Sequence, residues 1–268
     1  MKILIISPHL DDALFSLSSI LKDAHHIVIA TVFTQECPFE HLTGDYAAYG
    51  DMKTRKQEDL SAIAFLNKNP GTKAAKAAKA VKAKVEYIHL NYPDKLFRKN
   101  NTPYVLSLLD SMRELDTRNF DRVYCPLGVG EHPDHVFVYD ICQNVFGNSA
   151  LYYCEYPYSV LKLNMVKRFN RLGLKHNLKL NWHDYGAYYR HPIYASTFWG
   201  LRFLRLFRSF FNRRTIRIRQ DEHEMNDVEF KYTLVSHYKS QIGPIFGSMD
   251  RLKKELQTEK KECIVHFV

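Results

Sequence analysis

KILIISPHLDDALF, residues 2–15, runs from an unbroken apolar segment straight into one histidine and two adjacent carboxylates. A short apolar run with no polar alternation reads as a strand covered on both faces. The polar residues then fall where that strand ends and a helical pattern, DDALFSLSSILKDA (11–24), begins. The same succession recurs downstream. HIVIATVF (26–33), VEYIHLN (85–91), RVYCPL (122–127) and ALYYCE (150–155) read as strands, while DMKTRKQEDLSAIAFLN (51–67), TPYVLSLLDSMREL (102–115) and PDHVFVYDICQNVF (133–146) have helical period. Strand and helix in alternation predict an α/β fold: a Rossmann-like, doubly wound, mostly parallel sheet with helices on both faces.

The second half is less regular. Residues 156–230 show no clean alternation and are expected to form a substrate cap or an insertion. Beyond them, 228–242 and 248–260 read as helices and CIVHFV (263–268) as a last strand. No Pro/Gly/Ser-rich linker divides the chain, so a single domain over 1–268 is expected.

Composition narrows the function classes. With 46% hydrophobic and 25% charged residues, and 17 Tyr and 17 Phe, the chain has the material for a core and is not a disordered segment. Lys plus Arg exceed Asp plus Glu by 38 to 29, a formal charge of +9, which admits nucleic acid, an anionic membrane face or an acidic substrate as partners. Nucleic acid is the weakest of these. The lysines at 73, 76, 79 and 82 line one side of an alanine-rich helix pattern with no aromatic residue for base stacking, and the first strand is followed by neither G-x-G-x-x-G nor a P-loop. Five cysteines, odd in number and without a CxxC pair, read as free thiols and suggest a reducing compartment. MKILIIS passes directly into PHLDD with no small-residue cleavage site, and no stretch reaches the ~18 apolar residues of a spanning helix. A cytoplasmic protein is therefore expected.

One segment qualifies that expectation. In 197–219 (TFWGLRFLRLFRSFFNRRTIRIR), Arg202, Arg205 and Arg208 share one side of a helical wheel, and bulky apolar residues spread over the other. This is the pattern of an interfacial helix, and it predicts peripheral contact with a membrane inner face or a lipid-carrying substrate. The alternative is an ordinary amphipathic helix whose apolar side packs on the sheet.

In a doubly wound sheet, ligands bind outside the carboxyl ends of the strands, and both unusual clusters fall there. The first is His9, Asp11 and Asp12; the second, GEHPDH (130–135), contains His132, Asp134 and His135. His9 and Asp12 are three apart at a helix entry, whereas Asp11 is turned about 100° from Asp12 if the helix has begun. Pro133 suits a first helical position, which puts His132 just before a helix and His135 in its first turn. Two histidines and a carboxylate converging from separate elements suit zinc, with the fourth position open for hydrolytic chemistry. Taken singly, each cluster also suits a blander assignment: carboxylates favoured at a helix start, and surface histidines. The two together are harder to explain in that way.

With these residues in place, the chain resembles the PIG-L/LmbE-like zinc-dependent N-acetyl-sugar deacetylases, whose pattern is a strand followed by (P/A)HPDD(E) and a distant HPDH. SPHLDDA (7–13) and GEHPDH match it, and RKQEDLSAIAFLN (55–67), LNYPDKLF (90–97) and KYTLVSHYKSQI (231–242) extend the likeness. Leu10 stands where the pattern has proline and Ala13 where it has glutamate. The resemblance implies one Zn2+ per chain held by His9, Asp12 and His135, with Asp11 as general base. It implies further that Asp134 orients a histidine and that His132, as a cationic imidazole, meets the charge forming on the carbonyl oxygen. Arg55 and Asp94 are the implied contacts to sugar hydroxyls, against the alternatives of a helix ion pair with Asp51 or Glu58 and a turn aspartate after Pro93. His237, Ser240 and Gln241 are weaker candidates on a late helix. The implied reaction is removal of acetyl from an N-acetylated amino sugar, free or lipid- or conjugate-linked. A glycosyl-transferring enzyme would have no need of HPDH, and a binding protein without turnover would be free to lose Asp11.

Overall fold

The computed structural model describes residues 1–23, 26–69, 84–191, 216–225, 227–258 and 261–268. Its strands are β1 (Lys2–Ser7), β2 (His26–Phe33), β3 (Lys84–Tyr92), β4 (Arg122–Pro126), β5 (Leu151–Tyr153), β6 (Ile218–Glu224) and β7 (Lys261–Phe267). They form one seven-stranded sheet in the order β3-β2-β1-β4-β5-β7-β6. The first five are parallel; β7 runs antiparallel to β5, and β6 antiparallel to β7. The mostly parallel α/β sheet expected from the alternation is thus the one observed.

Its helices, in chain order, are α1 (Asp12–Ser16), α2 (Ser18–Asp23), α3 (Asp45–Gly50), α4 (Met52–Lys68), α5 (Val105–Asp116), α6 (Pro133–Val145), α7 (Lys162–Leu172), α8 (Trp182–Arg190), α9 (Val228–Val235), α10 (Lys239–Phe246) and α11 (Met249–Thr258). The unbroken apolar run of β1 follows from its central place. Ile3 and Ile5 join a core with residues of α4, α9, α10 and α11, whereas Leu4 and Ile6 join a second core with residues of α5 and α6 on the other face. Strand order reverses between β1 and β4, so the crevice at their carboxyl ends is the topological switch point. Both sequence clusters lie there.

Two expected helices are each split, for the same reason. The helix read over 11–24 breaks at Leu17, and the second piece begins where Glu262 of β7 accepts hydrogen bonds from Ser18 N (2.9 Å) and Ser19 N (3.0 Å). The helix read over 228–242 breaks before α10, where Glu58 of α4 accepts from Ser240 N at 2.7 Å. A carboxylate from a distant element satisfies amides at each new helix start, which local periodicity cannot reveal.

Within 156–230, where the sequence shows no clean alternation, the structure forms α7, α8 and β6. β6, IRQDEHE, is an edge strand with mostly polar residues. The membrane expectation over 197–219 lies outside the described residues except at its end: Ile216 pairs with Leu174, and Ile218 and Arg219 belong to β6, so that end is not helical. The lysine repeat at 73–83 also lies outside the described residues. All five cysteines are free thiols. No helix among the described residues is long and apolar enough to cross a membrane.

Candidate active site

The first loop is braced in part by its own neighbours and in part by Phe33 N on the Pro8 carbonyl and the Tyr238 hydroxyl on the Leu10 carbonyl. Ser7 Oγ donates to the His9 carbonyl at 2.5 Å and accepts from Ala13 N at 3.1 Å, and Asp12 Oδ2 accepts from His9 N at 2.8 Å. Leu10 and Ala13, the departures from the family pattern, are both buried in the core between sheet and helices.

The second loop is braced from outside. Gly128 (φ 82°), Gly130 (φ 83°) and Glu131 (φ 59°) take left-handed backbone conformations between β4 and α6. At Gly130 a Cβ would stand 2.2 Å from the Tyr158 ring, so both conformation and space demand glycine. The Glu155 carboxylate accepts from Gly128 N (2.6 Å) and Val129 N (2.8 Å), and Arg98 pairs with Asp134. Pro133 opens α6, and His132 Nδ1 accepts from Asp134 N at 3.3 Å, which leaves the proton of a neutral His132 on Nε2.

Between the loops, three donor atoms form a nearly equilateral triangle. His9 Nδ1 lies 3.1 Å from Asp12 Oδ2 and 3.2 Å from His135 Nε2, and His135 Nε2 lies 3.2 Å from Asp12 Oδ2. Ligands about 2.0–2.1 Å from a tetrahedral ion are separated by about 3.3 Å, so this set fits one face of such a site. The outer nitrogens fit as well. His9 Nε2 faces Asp134 Oδ2 at 3.0 Å and Asp94 Oδ2 at 3.3 Å, and His135 Nδ1 lies 3.3 Å from Glu155 Oε1. Carboxylates behind metal-binding imidazoles are the usual supporting arrangement. Two further groupings, His9 with His132 and His135, and His9 with Asp94 and Asp134, bring donor atoms within 4.8 Å of one another.

Charge is concentrated here on buried side chains. Burial works against a protonated His9, yet Asp12, Asp134 and Asp94 outweigh it and hold its pKa well above the usual imidazole value. Burial likewise opposes charge on Asp12, but His135 and His9 hold it well below the usual carboxylate value. Asp11 differs: burial raises its pKa against the opposing charge of Arg55. His132 is pushed down to about 4, first by burial and then by His135, so its ring is neutral near pH 7 rather than the cation expected from sequence.

Arg55 and Asp94 both reach the site. Arg55 donates to Asp11 Oδ1 at 3.3 Å and to the Tyr49 carbonyl at 3.2 Å, instead of pairing within its own helix, while Asp51 caps that helix through Thr54 N. Asp94 is at once a turn residue, accepting from Leu96 N at 2.9 Å, and a neighbour of His9. A cavity of about 570 Å³ opens over these groups, and Gln241 lines it together with Tyr46, Tyr49 and Tyr158. Ser240 instead serves the start of α10, and His237 bonds Ser61 on the surface. Arg98 and Glu155 had no signal in the sequence. Neither lies in a motif, and each becomes significant only through the residue it meets across the fold.

The family described as PIG-L: GlcNAc-PI de-N-acetylase matches residues 4–146. No curated protein matches the sequence. Among solved structures, the A40926 pseudoaglycone deacetylase superposes with a TM-score of 0.64 at 16% identity, covering 100% of this chain and 97% of that one. The zinc-inhibited form of a teicoplanin deacetylase gives 0.63 at 17% identity, covering 100% and 99%. Its complex with teicoplanin gives 0.60 at 17% identity with the same coverage. At these identities the likeness is one of fold.

Proposed function

The chain belongs to the PIG-L family, and from that premise we propose that it is a hydrolase that removes acetyl from an N-acetylated amino sugar of the N-acetylglucosamine-conjugate kind. The observation that carries this reading is the donor triangle of His9, Asp12 and His135 at the mouth of a cavity large enough for a sugar. Zinc, one per chain, is the ion this donor set suits, and when bound it supplies Lewis acidity toward the amide carbonyl and the attacking water.

The remaining chemistry belongs to the chain. Asp11 lies beside the triangle without joining it, and accepts the proton of the attacking water. Burial, which raises its pKa, strengthens it as a base, while Arg55 holds one of its oxygens in place. His132 donates a hydrogen bond from Nε2 to the carbonyl oxygen as negative charge develops there, a weaker contact from a neutral ring than from a cation but of the same kind. Asp134, fixed by Arg98 and Lys95 N, keeps His9 turned inward. As the C–N bond breaks, the proton held by Asp11 passes to the departing nitrogen, leaving acetate and a free amine. Arg55 and Asp94 are the contacts for sugar hydroxyls. That two proteins of the same fold are an A40926 pseudoaglycone deacetylase and a teicoplanin deacetylase favours a sugar carried on a larger group.

Acetate release from a panel of N-acetylated sugars and glycosides, with zinc added or chelated, tests the reading. Asp11→Asn should retain the metal and lose roughly 10²–10⁴-fold in turnover. A rate within a few-fold of the parent would assign the base elsewhere, and no acetate from any substrate would remove the activity altogether.

A further inference from the structure

Each histidine of the triangle turns one ring nitrogen inward and the other toward a buried carboxylate. For His9 that carboxylate is Asp134, inside the HPDH motif; for His135 it is Glu155, twenty residues beyond and at the end of β5. We infer that Glu155 is a positioning residue that fixes the tautomer and aim of His135, so that Nε2 offers its lone pair to the metal. The inference rests on the zinc reading of the site and deepens it.

Three observations carry it. Glu155 is fully buried, and its two oxygens are pinned by the backbone amides of Gly128 and Val129, so the carboxylate cannot turn away without moving the loop. A carboxylate has about four acceptor positions, and two amides leave room for a third donor. His135 Nδ1 is buried, has Glu155 Oε1 at 3.3 Å, and makes no aligned hydrogen bond as the ring stands. A proton on Nδ1 therefore has Glu155 as its acceptor, and a neutral imidazole protonated there must present a bare Nε2. Because the same carboxylate holds 128–129, it ties the ring to the loop that delivers His132 and Asp134.

A purely architectural role, anchoring the loop alone, makes a different prediction. Zinc affinity is measured by chelator competition on the full chain for the parent, Glu155→Gln and Tyr153→Phe, with melting followed for each. Tyr153→Phe, two residues before Glu155, removes a buried hydrogen bond to the Ile6 carbonyl and leaves the contacts of both histidines with their carboxylates in place. Glu155→Gln should bind zinc about 10–100-fold more weakly, as is typical when a metal ligand loses its supporting partner. Tyr153→Phe should lower the melting point and bind zinc within twofold of the parent. Glu155→Asp, which keeps the charge, should recover part of the loss. Folded Glu155→Gln with parental zinc affinity overturns the inference and leaves the zinc reading standing, whereas a parent that binds no zinc overturns both. The parent also gives a readout independent of any variant: its ¹⁵N imidazole spectrum with zinc should place the His135 proton on Nδ1, and a proton on Nε2 refutes the assignment.

Discussion

The two loops that build the site divide their bracing differently between near and distant partners. In 7–13 a set of short-range bonds, Ser7 bridging His9 and Ala13 and Asp12 closing on His9, holds the turn, and Phe33 N on the Pro8 carbonyl, the Tyr238 hydroxyl on the Leu10 carbonyl and Arg55 on Asp11 add to it from outside. In 128–135 the braces come from Glu155, twenty to twenty-seven residues away, and from Arg98, thirty-six away in the other direction. The first loop is short because a central strand feeds directly into a helix start. The second takes three left-handed residues to turn, and such a backbone has few internal hydrogen bonds to hold it. A loop of the first kind should fail locally when cut, and one of the second kind should pull distant elements with it.

The largest effects should not distinguish the loops at all. His9→Ala and His135→Ala each remove one of the three proposed ligands, and both proteins should emerge from dialysis without a full equivalent of zinc. If either retained it, the triangle would not be the metal site, and the pairing of the two loops would have no functional meaning.

Arg98→Met should separate them most clearly. Arg98 stacks on Phe33 at 4.3 Å, holds the Pro93 carbonyl at 2.7 Å and pairs with the fully buried Asp134, so its loss strands a charge. Removing one partner of a buried pair costs about 3–5 kcal/mol, to be measured by urea denaturation with and without zinc. A loss below about 1 kcal/mol would mean that Asp134 does not depend on its distant brace.

Ser7→Ala should be the mildest of the series. Its hydroxyl makes two local bonds, and a typical net contribution of about 0.5–1.5 kcal/mol per bond sets the scale for the melting shift. The tested claim is locality: amide exchange should quicken at His9 to Ala13 and remain parental at 128–135. Faster exchange in both loops would show that these two bonds do not act locally.

The same contrast explains how much was legible beforehand. The sequence by itself determined the parallel half of the sheet, because β1, β2 and β4 are central or flanked strands whose burial on both faces leaves an unmistakable apolar run. It also placed His9, Asp11, Asp12, His132, Asp134 and His135 at strand ends, where short spacing and the strand-to-helix junction encode position locally. Tertiary structure alone decided what lies behind those residues. Arg98, Glu155, Glu58 and Glu262 are ordinary polar letters in the chain, and each acquires its role from a partner brought close by the sheet. The breaks at Leu17 and before Lys239 belong to the same class, as does the polar edge strand β6, paired with β7. The neutral state of His132 was decided there too, since it follows from burial and from facing His135, not from the residue type. Local periodicity reports which face of an element is covered; only the folded chain supplies the charge or amide that a buried polar group must meet.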